Sequence, residues 1–358
     1  MDALNQVLRQ DIARCAGRID VRELDSGEGA RWDRFVQSCP QATFFHRAGW
    51  KTVIENAFGH RTWFYYAERD GEIAGVLPLA QIRSRLFGHS LRALPFCVYG
   101  GIAADDPAAA LALDQAAQDL AARLGVDYLE YRHLERRHPD WPEKPLYATF
   151  RKAICADDEA NLLAIPRKQR AMVRKGIKAG LTSHDGQDPD RVYEVYSRSL
   201  LRLGTPAFPR KYFRLLSDTF RRDCDSLIVE HQGRTIAGVM SFHFRDEVLP
   251  YHGGGIDAAR DVAGNDFMYW ELMRRSALHG SRLFDFGRSK LGTGSFDFKK
   301  NWGFEPQPLH YEYQLHRAQS IPDHNPLNPK YRLFIQAWQR LPLWVANAVG
   351  PHIVKDLG

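Results

Sequence analysis

The residue types with the clearest chemical capacity lie in the segment 284–313, FDFGRSKLGTGSFDFKKNWGFEPQPLHYEY. Its head reads as a buried strand that ends in the polar residues Asp285, Arg288, Ser289 and Lys290. Gly287, Gly292 and Gly294 follow the strand and allow the backbone to approach a ligand closely. Lys299 and Lys300 then stand between Phe298 and Trp302. An ammonium held among aromatic rings can face the negative charge that develops on a carbonyl oxygen under nucleophilic attack. Composition alone equally allows a surface loop with solvated lysines.

A second candidate is IPRKQRAMVRKGIK, residues 165–178, inside a stretch from Ala160 to His184 without a single acid. At 100° per residue, Arg167, Arg170, Arg174 and Lys178 share one helical face, with Lys168 and Lys175 beside them. Val173 and Ile177 are expected to turn inward. Such a stripe suits phosphate groups, because Arg offers paired donors. A third candidate is the strand–glycine–helix junction at 257–270, DAARDVAGNDFMYW, where free amide N–H groups at a helix start can hold an anion. Asn265 or Asp266 is the expected cap there.

Other chemistries have no footing. The chain contains no GxSxG, GxxxxGK[ST], GxGxxG or HExxH motif. Five cysteines lie far apart without a CxxC pair, and the 14 histidines are scattered, so no metal site is expected. Unpaired cysteines suit a reducing compartment. Residues 1–15 lack an apolar run of signal-peptide length, and no stretch reaches the roughly 18 apolar residues of a membrane span. A soluble cytoplasmic protein is therefore expected. The 358 residues, 44% hydrophobic and 26% charged with a net charge of +6, suit two globular domains with room for a phosphate-bearing partner.

The elements that must position these residues repeat. FYYAERDGEIAGVLPLA (64–80) and LIVEHQGRTIAGVMSFHF (227–244) are both strand–turn–strand segments, and the tetrad Ile-Ala-Gly-Val recurs at 73–76 and 236–239. Each copy then reaches a glycine strand, at Tyr99–Ile102 and Tyr251–Ile256. A helix follows that ends at a glycine, Gly125 or Gly280, and five residues later comes an acid, Glu130 or Asp285. This order predicts two copies of one α/β unit with mixed sheets flanked by helices. The boundary falls near Cys155–Asp158, after a strand over 147–154. A helix over 161–180 capped by Asn161, another over 189–203 and a third over 212–220 are expected to follow. IPDHNPLNP (321–329) reads as a linker, and 330–358 as an interrupted amphipathic helix with Leu333, Phe334, Ile335, Trp338 and Trp344. That tail either docks on a membrane surface or partner protein, or packs back on the second unit.

The helix KQRAMVRKGIKAGL (168–181), the helix 192–203 and the closing GRSKLGTGSFDFKKNWGFEP (287–306) resemble the FemAB-like acyltransferases of the GNAT superfamily. More narrowly, they resemble the FemAB-related branch associated with exosortase/PEP-CTERM export and exopolysaccharide loci. The most specific pieces are the cationic helix ahead of Gly180 and the box Phe298-Lys299-Lys300-Asn301-Trp302-Gly303. The resemblance implies tandem GNAT-like (acyl-CoA N-acyltransferase) units at 1–155 and 156–320, with the active site in the second, then a linker and helical tail at 321–358.

It also implies transfer of an acyl or aminoacyl group to an amine of a peptidoglycan-type or exopolysaccharide precursor. No tightly bound cofactor or metal is implied. In this resemblance Lys299 stabilises the oxyanion, with Asp285 and Arg288 beside it, and Phe298 shapes the pocket. Tyr251, His252, Tyr269, Ser289, Lys290 and Trp302 border the cleft between the units. Arg167, Lys168, Arg170 and Arg174, with Asn265, meet phosphates of a small-molecule or lipid-linked substrate. The chain lacks the long helical arm that some relatives use for tRNA, so acyl-CoA stays open as donor beside aminoacyl-tRNA. A non-catalytic scaffold on the inner membrane face, binding a lipid-linked sugar or partner protein, remains the alternative.

Overall fold

The computed structural model describes residues 18–85, 87–321 and 332–357. Cys15, most of the 321–329 linker and the start of the tail at Lys330 lie outside these residues. In chain order, the strands are β1 (Ile19–Glu23), β2 (Thr62–Arg69), β3 (Glu72–Ser84), β4 (Gly88–Arg92), β5 (Ala103–Ala104) and β6 (Tyr128–His133), then β7 (Tyr147–Ala153) and β8 (Thr182–Gly186). They continue as β9 (Cys224–His231), β10 (Arg234–Phe244), β11 (Glu247–Gly255), β12 (Leu283–Asp285), β13 (Ser289–Lys290), β14 (Pro306–Pro308) and β15 (His310–Leu315).

Two mixed sheets result, flanked by helices. One has the order β1-β2-β3-β4-β6-β15 with β5 on β3, the other β13-β7-β12-β11-β10-β9-β8 with β14 on β7. The repeated hairpins β2–β3 and β9–β10 turn alike. Asp70-Gly71 and Gln232-Gly233 all have positive φ, the conformation that lets a two-residue turn follow the natural strand twist. Each sheet also contains a parallel pair, β4–β6 in one and β11–β12 in the other. The helices Pro107–Leu124 and Gly264–Leu278 precede β6 and β12, with Gly125 and Gly280 at positive φ just past their ends.

The two sheets exchange strands. β7, which precedes residue 155, pairs with β12, β13 and β14, whereas β15, from the second half, pairs with β6. A continuous apolar core seals the halves together, with Phe44 stacked on Phe242 at 4.2 Å and Trp50 tilted against Phe220 at 5.3 Å. Burial on this scale makes the two units one body.

Several local expectations are corrected. Tyr99–Ile102 is no strand: Pro95 cannot donate to a ladder, and Leu94 and Phe96 take positive φ, so 94–102 runs as a loop that meets β6 at the Gly100–Arg132 bridge. The helix expected over 161–180 breaks at Pro166 into Asp158–Leu163 and Arg167–Lys178. Asp157 caps the first of these, and Asn161 instead bonds the backbone of Cys155. Ile177 is 50% exposed, because Gly176 is the residue that seats the helix against Phe267. Neither Asn265 nor Asp266 caps the helix that starts at Gly264. Ala263, with φ of 56°, precedes it without a side-chain cap.

Candidate active site

β11 and β12 pair only at Glu247–Leu283 and Val248–Phe284. Beyond those pairs they part, and a cavity of about 380 Å³ occupies the opening. β11 contributes Pro250, Tyr251, His252 and Gly253, and the chain after β12 contributes Phe286, Gly287 and Arg288. Lys299, Ser295 and Tyr269 complete that side, with Phe208 from the loop after helix 189–203. Phe96 and Val98 arrive from the first unit, and Val354 and Leu357 from the tail.

Lys299 sits on the helix Gly294–Asn301, which Thr293 caps by accepting from the Phe296 amide. The side chain is only 8% exposed. Its Nζ donates to the carbonyls of Gly287 at 2.9 Å and Arg288 at 3.1 Å, above the rings of Phe150 and Phe286. Burial disfavours the charged form, and although Asp285 opposes this, Arg288 adds to it, so the pKa falls to about 7. Two of the ammonium's three hydrogens go to carbonyls, which leaves one for an oxygen in the cavity. Both carbonyls depend on Gly287, whose φ of 66° bends the chain directly after β12.

Arg288 is the permanent cation of the wall. Its guanidinium donates to the Tyr311 hydroxyl at 2.7 Å and lies over the Tyr147 ring. Tyr251 donates to the Phe96 carbonyl at 2.6 Å, which ties the first unit's loop to β11. His252 is enclosed by Tyr196, Phe208, Tyr212 and Phe213, and burial lowers its pKa to about 3. It is therefore a neutral imidazole that shapes the cavity without charging it. Tyr269 packs on Phe286 and Phe298, and burial raises its pKa to about 12.

The remaining expected residues fall outside the lining. Asp285 is fully buried behind it and accepts from Tyr99 at 2.6 Å, Thr149 at 3.1 Å and the Gly287 amide at 2.7 Å. It fixes the turn that carries the Lys299 partners. Trp302 has no exposed surface, and its indole donates to Asp266, which also accepts from Gln169 of the cationic helix. Phe298 packs on Trp302 in the same floor. Ser289 bonds Ser295, and Lys290 lies over Tyr147 on β13. Asn265 stands at the helix start beside Gly255, away from the lining. Arg167, Lys168, Arg170 and Arg174 also lie away from it, on a helix whose buried side is Val173 and Gly176.

Sequence reasoning missed Tyr99, Thr149, Ser295 and the contributions of Phe96, Val98, Phe208, Val354 and Leu357. The donors to Asp285 and the walls come from loops and a tail whose approach is set by tertiary packing. The one local signal was the pair Gly100-Gly101, where Gly101 takes φ of 148° under His133.

The two helix-flanked mixed sheets, each with one parallel pair, form a tandem GNAT-like fold. Residues 167–300, which hold the cationic helix and Lys299, match the family described as acetyltransferase (GNAT) domain. FemX is similar in structure at 16% identity and a TM-score of 0.65, covering 88% of this chain and all of FemX. A tandem GNAT protein from the clavulanic acid biosynthesis pathway is similar at 13% identity and a TM-score of 0.53, covering 85% of this chain and all of that one. The C-terminal domain of an Agrobacterium fabrum protein assigned as a lysylphosphatidylglycerol synthetase gives 13% identity and a TM-score of 0.54, over 81% of this chain and 92% of that one. No curated protein matches the chain in sequence.

Proposed function

We propose that the chain is an N-acyltransferase or aminoacyltransferase that moves its group to an amine of a phosphate-bearing cell-envelope or exopolysaccharide precursor. The carrying observation is the buried Lys299 ammonium in the wall of the cavity where β11 and β12 part. The GNAT-domain match favours acyl-CoA as donor, and the fold shared with FemX keeps aminoacyl donors in the proposal. The exosortase-associated setting is supported by the motif resemblance over 165–312.

In the proposed step the acceptor nitrogen's lone pair attacks the carbonyl carbon, and the carbonyl π pair moves onto oxygen. That oxyanion accepts a hydrogen bond from the third N–H of the Lys299 ammonium, already aimed by two carbonyls, so little reorganisation is needed. Collapse returns the pair to the carbonyl and expels the carrier, which leaves with the electrons of the broken bond. The amine's proton departs with the carrier or through solvent. Phe96, Val98 and Phe286 keep the reacting carbonyl in apolar surroundings, where a single charge acts strongly. Arg288 supplies fixed positive charge to an anionic part of either substrate. Arg167, Lys168, Arg170 and Arg174 serve phosphates that lie outside the cavity.

Thermal-shift screening of the purified chain against acyl-CoAs, aminoacyl-tRNAs and nucleotide-linked sugar precursors tests this reading. A true substrate at a hundredfold its dissociation constant adds about 2.7 kcal/mol of stability. A chain that none of these stabilises would refute the proposal.

A further inference from the structure

We infer that the C-terminal tail is a lipid-facing wall of the cavity, so that the amine acceptor reaches Lys299 from an anionic membrane surface. This rests on the acyltransferase reading and names the substrate class for it, a lipid-anchored amine.

The tail's inner side belongs to the site. Helix Leu343–Val354 runs to the cavity, where Val354 and Leu357 share the lining with Lys299 and Arg288. Two side chains hold this end by its carbonyls: His60 donates to the Lys355 carbonyl at 2.7 Å, and Arg92 to the Leu357 carbonyl at 2.9 Å. Trp338 and Ala346 are buried, and Gly204 and Gly350 allow close contact with Ile335 and Ala207. The tail thus packs back onto both units, on the second through Gly204 and Ala207 and on the first through His60 and Arg92.

Its outer side is unlike the rest of the surface. Among the described residues, ten large apolar side chains are exposed, and four of them lie in the tail: Leu333, Phe334, Trp344 and Val349. Leu203, 60% exposed, adds to them where Ile335 crosses Gly204. Residues 330–358 carry Lys330, Arg332, Arg340 and Lys355 against the single acid Asp356. Exposed aromatic and aliphatic groups in a segment of net positive charge favour an anionic lipid interface. No described helix is long and apolar enough to cross a membrane, so the tail lies along the surface. The tail therefore touches lipid along its outer side and lines the reaction cavity at its end, through Val354 and Leu357.

The test is flotation of the full chain with vesicles of phosphatidylglycerol and phosphatidylcholine, against phosphatidylcholine alone. The chain is expected to float with the anionic vesicles and to be released by salt. The triple variant L333S/F334S/W344S, altered only at exposed positions, is expected to lose about tenfold or more in vesicle affinity. Lys299→Met should float like the parent, so membrane contact and chemistry are read separately.

A fluorophore on Leu357→Cys, in a C15S/C155S background, should change emission with anionic vesicles, while one on the exposed helix position Leu111→Cys should not. A chain active on a soluble acceptor that never floats would overturn the lipid surface and leave acyl transfer standing. Flotation that the triple variant retains would equally overturn it, as would a dimer that the triple variant abolishes, since that assigns the face to a second copy.

Discussion

The two places where parallel strands meet have opposite contents. In the second unit β11 and β12 part around a cavity; in the first, the space beyond β4 and β6 is filled by Arg132. The guanidinium of Arg132 is 2% exposed and donates to Glu130 at 2.6 Å and to the carbonyl of Cys97 at 2.8 Å, over the ring of Tyr311. The repeat that aligns Glu130 with Asp285, 155 residues on, aligns Arg132 with Gly287. One copy thus puts a large cation where the other puts a glycine. In this duplicated fold the residue two places past a shared acid distinguishes a sealed copy from an open one.

The comparison can be broken most forcefully at Lys299. Lys299→Met should slow turnover by roughly 10²–10³, the cost of losing one preorganised donor, with the melting temperature shifted by only a few degrees. The counterpart in the first unit, Arg132→Met, should reduce turnover far less than Lys299→Met but cost about 3 kcal/mol in urea unfolding, because the buried Glu130 loses its nearest partner.

A smaller, pH-dependent difference sharpens the contrast. Lys299 has a folded-state pKa of about 7 against an ordinary value of 10.5, so the unfolded chain binds more protons between these limits. Stability relative to Lys299→Met should therefore rise as pH climbs from 7 towards 10, and denaturation at several pH values reads it. The smallest effect is expected on the outer cationic face. Arg167→Ser with Arg174→Ser should change stability by no more than about 0.5 kcal/mol, yet raise KM for a phosphate-bearing substrate while kcat holds.

Much of the architecture was legible because its signals are local. Both hairpins, the helix 189–203 and the acids Glu130 and Asp285 follow from turn glycines and apolar period. The exchange of β7 and β15 was not legible, since nothing in YATFRKA or HYEYQL names the sheet it will join. The glycine segment of the first copy looked like that of the second, but Pro95 and the left-handed Leu94 and Phe96 turn it into a wall of the neighbouring site. Aromatic flanks singled out Lys299, which lines the cavity, yet could not distinguish Trp302, fully buried in the floor, from Tyr269, which meets the cavity. Ile177 obeyed the helical period and still faces outward, because a small neighbour decided the packing seam.

The ammonium of Lys299 can be watched directly through kcat/KM against pH with a weakly basic acceptor, such as an aryl amine, that stays unprotonated throughout. The account predicts a fall of about tenfold per pH unit above about 7, as Lys299 gives up its proton. A profile that stays flat to pH 9 would contradict it.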